Sequence, residues 1–417
     1  MDMVHTKKLI AVLGVAALGL SACSSDSSSS SASSDSSSGE TQNVTLAVWT
    51  AQEEQSDSNS WLQTMQREFE KQNPNYNITW KNSVVPAADA GTTVNQDPSA
   101  AADVYVFAND QLGALLDSGA IGALSDDGQA QLNEQGSETM VASVTGQDGD
   151  VYGLPYEPNT WFMYYNKSKL SEDDVKSFDT MLEKARVSFP MSNSWYLPAF
   201  YAAAGATFFG EDGLDKDAGI NLGDRATEVT EYLTTVVSNP NFVNDVDGAG
   251  IGGLANGNVD VVFSGAWDAK NVQEALGDNY GVASLPTYTL GGEELQLKAF
   301  SGSKAVAYNP NTANPRVASE FAAFLASSDS QLTHFELNGV IPADKTLAAD
   351  STISSDPVSV ALLETVSDAS ILQPTFKAMS QFWDPTENFG KALVNKEVTA
   401  ANAAEKIDAL STSLKQL

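Results

Sequence analysis

Histidine and cysteine are almost missing from this chain. Its 417 residues include two histidines, His5 and His334, and one cysteine, Cys23. A zinc site built from Cys and His needs three or four such ligands, and a Ser/His/Asp triad needs a histidine in the right place, so both chemistries are nearly closed. Positive charge is also scarce: Lys and Arg total 22 against 54 Asp and Glu, for a formal charge of -32. A surface of that sign repels phosphate backbones and anionic membranes, which argues against nucleic acid as a partner and fits a solvated acidic coat. No internal repeat is visible. What remains is ample apolar material, 42% of the residues, more than one compact core usually holds, so two domains or lobes are expected.

The N-terminus reads as an export signal. MDMVHTKK supplies two lysines, LIAVLGVAALGL is a 12-residue apolar run, and Leu20-Ser21-Ala22-Cys23 follows. The run is short of the roughly 20 residues that a permanent helical span requires. Its ending resembles the lipobox of bacterial lipoproteins, which implies a lipoprotein signal peptide over 1–22, lipidation of Cys23, and anchoring to the outer face of the cell membrane. Residues 24–39, SSDSSSSSASSDSSSG, hold almost nothing that could be buried and are expected to act as a tether, with 23–40 as the lipidated linker. A flexible segment of that length reaches about 20 to 24 Å.

Two short patterns have weak claims. GAGIGG at 248–253 formally matches a dinucleotide fingerprint, but NPNFVNDVD precedes it where a strand is required. DKDAGIN at 215–221 lacks the fifth and twelfth ligands of a calcium loop and reads as a turn. No cofactor and no metal site are expected. His334, in QLTHFELNG, is expected at a helix end, on the surface or partly packed.

Along the chain, VTLAVWT is a short apolar strand, and SWLQTMQREFEKQNP places Trp61, Leu62, Met65 and Phe69 on one helical face. YNITWKN alternates like a half-buried strand, with Trp80 on its core side. DVYVFA is the next strand and QLGALLDSG the helix after it. This strand-helix alternation predicts parallel sheets covered by helices, an α/β fold. GLPYEPNTWFMYYNKSKL is a long extended run whose prolines suit an edge. NLGDRATEVTEYLTTVVSN is helical in pattern, DVVF, YGVASLP and LQLKAFSGSKAVAYNP read as extended, and the rest, RVASEFAAFLAS, VSVALLETVS and TAANAAEKIDALSTSLKQL, is mainly helical.

In VDVVFSGAWDAKN an apolar strand breaks at Ser-Gly, and a tryptophan, Trp267, follows where a loop should begin. Together with ADVYVFANDQLG, YGLPYEPNTWFMYYNKSKL, NYGVASLPTY and AMSQFW, this stretch resembles the extracellular solute-binding proteins of ABC sugar importers, in the maltose/maltodextrin-binding branch. The resemblance runs over nearly the whole chain beyond the tether. It implies a two-lobed periplasmic-binding-protein-like α/β fold with three interlobe crossings and a central ligand cleft. One lobe would be 41–157 plus 304–353 and the other 158–303 plus 354–417.

The same resemblance implies the site. Ligands of open α/β sheets sit outside the carboxyl ends of the strands, where Trp267 would face the cleft. A pyranose has an apolar face and a rim of hydroxyls, so it needs an aromatic platform and polar groups at its edge. Trp267, Trp383, Trp195 and Phe107 are the implied platforms. Asp110 is the leading hydroxyl acceptor. Gln111, Glu53, Glu54, Glu157 and Asn159 complete the polar set, with surface glutamates an equal alternative for Glu53 and Glu54. The implied function is capture of an oligosaccharide of the α-glucan type by hinge closure, without covalent chemistry, by a monomer that serves an importer permease. Two alternatives stay open: a surface-anchored glycoside hydrolase working with paired carboxylates, and a receptor for a non-maltose sugar or another solute such as a metal complex or peptide.

Overall fold

The computed structural model describes residues 41–246 and 248–415. The expected signal peptide, Cys23 and the tether lie outside the described residues.

Two sheets organise the chain. In the first, Gln42–Thr50 pairs in parallel with Tyr76–Val84 on one side and Val104–Ala108 on the other. The long strand Ala299–Tyr308 then runs antiparallel to Val104–Ala108 and to Leu154–Asn159, and parallel to Ser370–Leu372. The second sheet has the order Tyr280–Ala283, Phe162–Asn166, Val261–Ser264, Val187–Phe189, Phe242–Asn244. Both sheets are mixed, whereas strand-helix alternation predicted parallel ones. The cause is local: Ala299–Tyr308 returns against its neighbours, and Phe162–Asn166 is antiparallel to both of its own.

Period-2 alternation sorts the apolar side chains between faces. In Phe162–Asn166 and the residue before it, Trp161, Met163 and Tyr165 enter one core with Phe178, Phe189 and Phe263, while Phe162 and Tyr164 enter another with Val272, Ile341 and Leu362. The first sheet has its own core of Trp61, Phe69, Tyr105, Phe107 and Phe321. Trp80 is half-buried as expected, its ring 4.6 Å from Phe321.

Besides Met140, which packs with Phe162 and Tyr164 although Leu132 and Val144 on either side of it lie in the first core, the chain passes between the first core and the others at three places. Tyr156 belongs to the first core and Trp161 to the second, five residues later. Within the single strand Ala299–Tyr308, Ala299 and Phe300 pack in the second core and Ala305, Val306 and Ala307 in the first. Finally, Ile341 and Ala343 leave the helix Ser328–Asn338 and pack beside Val358 and Leu362. The prolines at 155 and 158 sit on Leu154–Asn159, which pairs with one neighbour only, as their missing N–H groups require. GAGIGG lies largely in the helix Ala249–Ala255, and DKDAGIN holds a one-turn helix, Lys216–Ala218, capped by Asp215, followed by the two-residue strand Ile220–Asn221.

Candidate functional site

Three strands end in the same way. Gln42–Thr50, Val104–Ala108 and Val261–Ser264 are followed by one-turn helices Gln52–Glu54, Asn109–Gln111 and Ala266–Asp268. These turns carry Glu53 and Glu54, Asp110 and Gln111, and Trp267. The carboxyl end of an open α/β sheet is where its loops can face a ligand.

Trp267 is 54% exposed, so it is no part of a core. Gly265 explains its place: a Cβ there would meet the Trp267 ring, so only a glycine lets the indole fold back over the turn. The carbonyl of Gly265 accepts a hydrogen bond from the Tyr164 hydroxyl at 2.8 Å, which ties the turn to the buried sheet. Trp267 lines two cavities. One, of about 800 Å³, continues along Asn193, Tyr196, Asp268, Asn271 and Glu387. The other, of about 560 Å³, continues along Glu53, Glu54, Glu157, Lys304 and Asn338. Both volumes lie in the range of small-molecule sites.

Trp195 stands beside it, ring centroids 6.1 Å apart and planes 31° apart. Its indole N–H donates to Gln373 Oε1 at 2.8 Å, and Asn109 Nδ2 donates to the Gln373 carbonyl at 3.0 Å. Gln373 thus links the turn that carries Asp110 to the tryptophan pair. Asp110 itself lines neither cavity. Burial raises its carboxyl pKa above the usual range, and the Gln111 side chain partly offsets that. Gln111 packs against Gly91, where an added Cβ would press on its amide.

Trp383 is half-buried, edge-on to Phe300 and Phe382, and lines neither cavity. One and two turns further along its helix, Glu387 and Lys391 do line the larger one, which sets Trp383 on the same helix face. Asn159 is half-buried opposite Gly302 in the sheet and lines neither.

Phe107 needs a correction. It is fully buried in the first core, 6.5 Å from Tyr105, and packs against Gly153. Its neighbour Val106 is the residue of that strand that lines the smaller cavity, so alternation turns Phe107 to the other face.

Glu53 is exposed on the smaller cavity, and its carbonyl accepts from Asn338 Nδ2 at 3.3 Å. Glu54 is only 4% exposed, so the surface alternative fails for it. Its Oε1 accepts from the Tyr156 hydroxyl and its Oε2 from the Ala51 N–H, both at 3.0 Å. Burial pushes its pKa up to about 7. Glu157 is ion-paired with Lys304, whose Nζ lies 2.9 and 2.8 Å from its two oxygens.

His334 was expected on the surface or partly packed at a helix end, and the structure corrects this: it is 1% exposed. Its ring stacks on Trp61 at 4.2 Å and near Tyr156 at 5.7 Å, and its Nε2 lies 3.7 Å from Glu54 Oε1. Burial lowers its pKa to about 3.

Lys304, Gln373 and Asn338 were not foreseen. Lys304 had a signal, the one charge inside the apolar run AFSGSKAVAY. Gln373 and Asn338 had none, since their partners are remote in sequence.

Residues 64–359 match the family of bacterial extracellular solute-binding proteins. The maltooligosaccharide ABC transporter solute-binding lipoprotein of Streptococcus pneumoniae serotype 4 is 26% identical over 321 residues, covering 71% of this chain and 74% of that protein. A structure solved with acarbose is 47% identical, with a TM-score of 0.82 over 89% of this chain and 98% of that one. The maltodextrin-binding protein MalE1 of L. casei BL23, solved without ligand, is 26% identical with a TM-score of 0.83 over the same shares, 89% and 98%. The chain belongs to the bacterial extracellular solute-binding protein family and shares the two-lobed fold of these neighbours.

Proposed function

We propose that this solute-binding protein captures an oligosaccharide of the maltodextrin type and delivers it unaltered to an ABC importer permease. The observation that carries the reading is Trp267, an indole left more than half exposed at the junction of two cavities with Trp195 beside it. An indole that lines a cavity rimmed by carboxylates and amides suits the two-sided chemistry of a sugar ring, and Trp195, which lines neither cavity, backs it from 6.1 Å away. The names of the S. pneumoniae relative and of MalE1 support an α-glucan as the class of ligand.

In this reading the lobes are 41–157 plus 304–353 and 158–303 plus 354–417; the passages at 156–161 and 300–305 support the first two boundaries, and at the third Ile341 and Ala343 already pack beside Val358 and Leu362. Trp267 and Trp195 bind from the second lobe, with Trp383 further out on the same side. Glu53 and Glu157, which line the smaller cavity, bind from the first, and Asp110, which lines neither cavity, joins them on closure. A ligand that touches both lobes favours the closed form by its differential affinity, and the permease would recognise that form. Cys23 is the lipid anchor that holds a monomer at the outer face of the membrane. Isothermal calorimetry against maltose, maltotriose, longer maltodextrins and unrelated oligosaccharides tests the reading. Heat from the maltodextrins at micromolar concentrations is expected; no heat from any of them would end it.

A second reading draws on one observation. Glu54, its pKa raised to about 7, and Glu157, held by Lys304, line the same cavity, and pairs of carboxylates in unlike environments serve hydrolases. Against it, both Glu54 oxygens already accept hydrogen bonds from Tyr156 and Ala51. Prolonged incubation with maltohexaose and chromatography of the products decides: shorter sugars that vanish with Glu54→Gln would favour the hydrolase.

A further inference from the structure

The strand Ala299–Tyr308 carries a single charge, Lys304, and its pairing with Leu154–Asn159 shifts register between Lys304 and Ala305. Such an irregularity re-aims a side chain, and here it brings Lys304 Nζ against Glu157 on the facing strand. The side chains are 34% and 16% exposed, and what is exposed of both faces the smaller cavity, which Trp267 also lines. Burial works against the lysine's charge, but Glu157, and then Glu54 and Glu53, more than offset it and raise its pKa. The ammonium therefore stays charged with carboxylates around it.

An ion pair taken partly out of water gains little for stability, because desolvation consumes most of the Coulomb attraction. Apolar packing would serve the fold as well at this position. The pair has another property. An ammonium has three N–H donors, and Glu157 occupies two, at 2.9 and 2.8 Å. The carboxylate in turn has about four lone-pair sites, of which Lys304 uses two. One charged donor and charged acceptors thus remain side by side. Two adjacent hydroxyls of a sugar, each both donor and acceptor, match that pattern.

We propose that Lys304 and Glu157 form a specificity-determining subsite that reads two adjacent hydroxyls on a glycosyl unit seated in the cavity between Trp267 and the Ala299–Tyr308 strand. This rests on the oligosaccharide-receptor reading above. Lys304 is the residue that discriminates, since its ammonium is fixed by Glu157 on the sheet, whereas Lys270, the other lysine lining this cavity, is exposed; Glu157 both accepts from the sugar and holds the Lys304 ammonium in place.

The test is calorimetry of maltotriose and its monodeoxy analogues with the wild-type protein and with Lys304→Gln. Hydrogen bonds to a charged group are strong enough that the wild type is expected to lose about tenfold in affinity when one of two adjacent hydroxyls is removed. Lys304→Gln is expected to bind maltotriose about tenfold more weakly, and to lose nothing further for that same deoxy analogue. If Lys304→Gln binds maltotriose like the wild type, or if its loss simply adds to that of every analogue, the pair is only a strut and the proposal fails. Should Lys304→Gln melt far below the wild type, the double variant Glu157→Gln with Lys304→Gln, which leaves no unpaired charge, carries the same comparison. A wild type that binds no maltooligosaccharide would bring down the receptor reading itself, and this subsite with it.

Discussion

The indole rings of Trp195 and Trp267 lie 6.1 Å apart with their planes inclined by 31°, one half-buried and held by Gln373, the other 54% exposed. Fixed and free rings side by side make an adjustable platform, and each should contribute to ligand binding on its own. Trp267→Ala is expected to weaken maltotriose binding by at least ~1 kcal/mol, by calorimetry. Because the ring is mostly in water, the melting temperature should move little. Unchanged affinity would remove Trp267 from the site.

Gly265 gives a subtler perturbation of the same ring. A methyl group there would occupy the space where the Trp267 indole now lies, yet the ring has solvent to swing into. Gly265→Ala should therefore fold normally and still lose affinity, by an amount comparable to Trp267→Ala, about 1 kcal/mol. A variant that binds like the wild type would mean that the ring's seat over the turn is irrelevant to the ligand.

How much of this was legible in the sequence depends on the range of the interactions involved. Trp267 stood out because an apolar strand visibly ended at Ser264-Gly265 before it. The elements themselves followed from periodicity, but strand direction did not, since whether Ala299–Tyr308 runs with or against Val104–Ala108 is decided by how the chain returns to the sheet. Phe107 was misjudged for a related reason. Every residue of Val104–Ala108 is buried, so no polar face betrays which side looks toward the cavity. His334 looked like a helix-end histidine because its covering rings, Trp61 and Tyr156, are far away in sequence. Lys304 was visible as a lone charge, but Glu157 as its partner was not.

The corrected place of Phe107 can be checked directly. Truncating a fully buried phenylalanine typically costs about 3–5 kcal/mol, so Phe107→Ala should show a large drop in urea or thermal stability. Maltotriose affinity of the fraction that remains folded should be unchanged. Weaker binding with stability intact would return Phe107 to the cleft.

The buried contact between Glu54 and His334 makes a prediction about pH. Burial raises the Glu54 pKa from 4.5 to about 7, so between those values the folded protein keeps a proton that the unfolded chain has released, and stability falls as pH rises. Burial lowers the His334 pKa from 6.5 to about 3, so between those values the unfolded chain holds a proton that the folded protein refuses, and stability rises with pH. The two windows overlap from pH 4.5 to 6.5, where slopes of opposite sign cancel. The groups facing the pair are Tyr156, Lys304, Glu157 and Glu53, and of these Lys304 and Glu157 are already paired with each other. His334→Phe keeps a ring against Trp61 and removes the rising limb alone. Relative to the wild type, its stability should decline across the overlap, by up to about 1.4 kcal/mol per pH unit for one proton. Glu54→Gln removes the falling limb and should show the opposite trend, gaining stability relative to the wild type as pH rises. Urea unfolding of the three proteins at pH 4.5, 5.5 and 6.5 reads both differences, and parallel curves would show that the two groups titrate in the fold as they do in the unfolded chain.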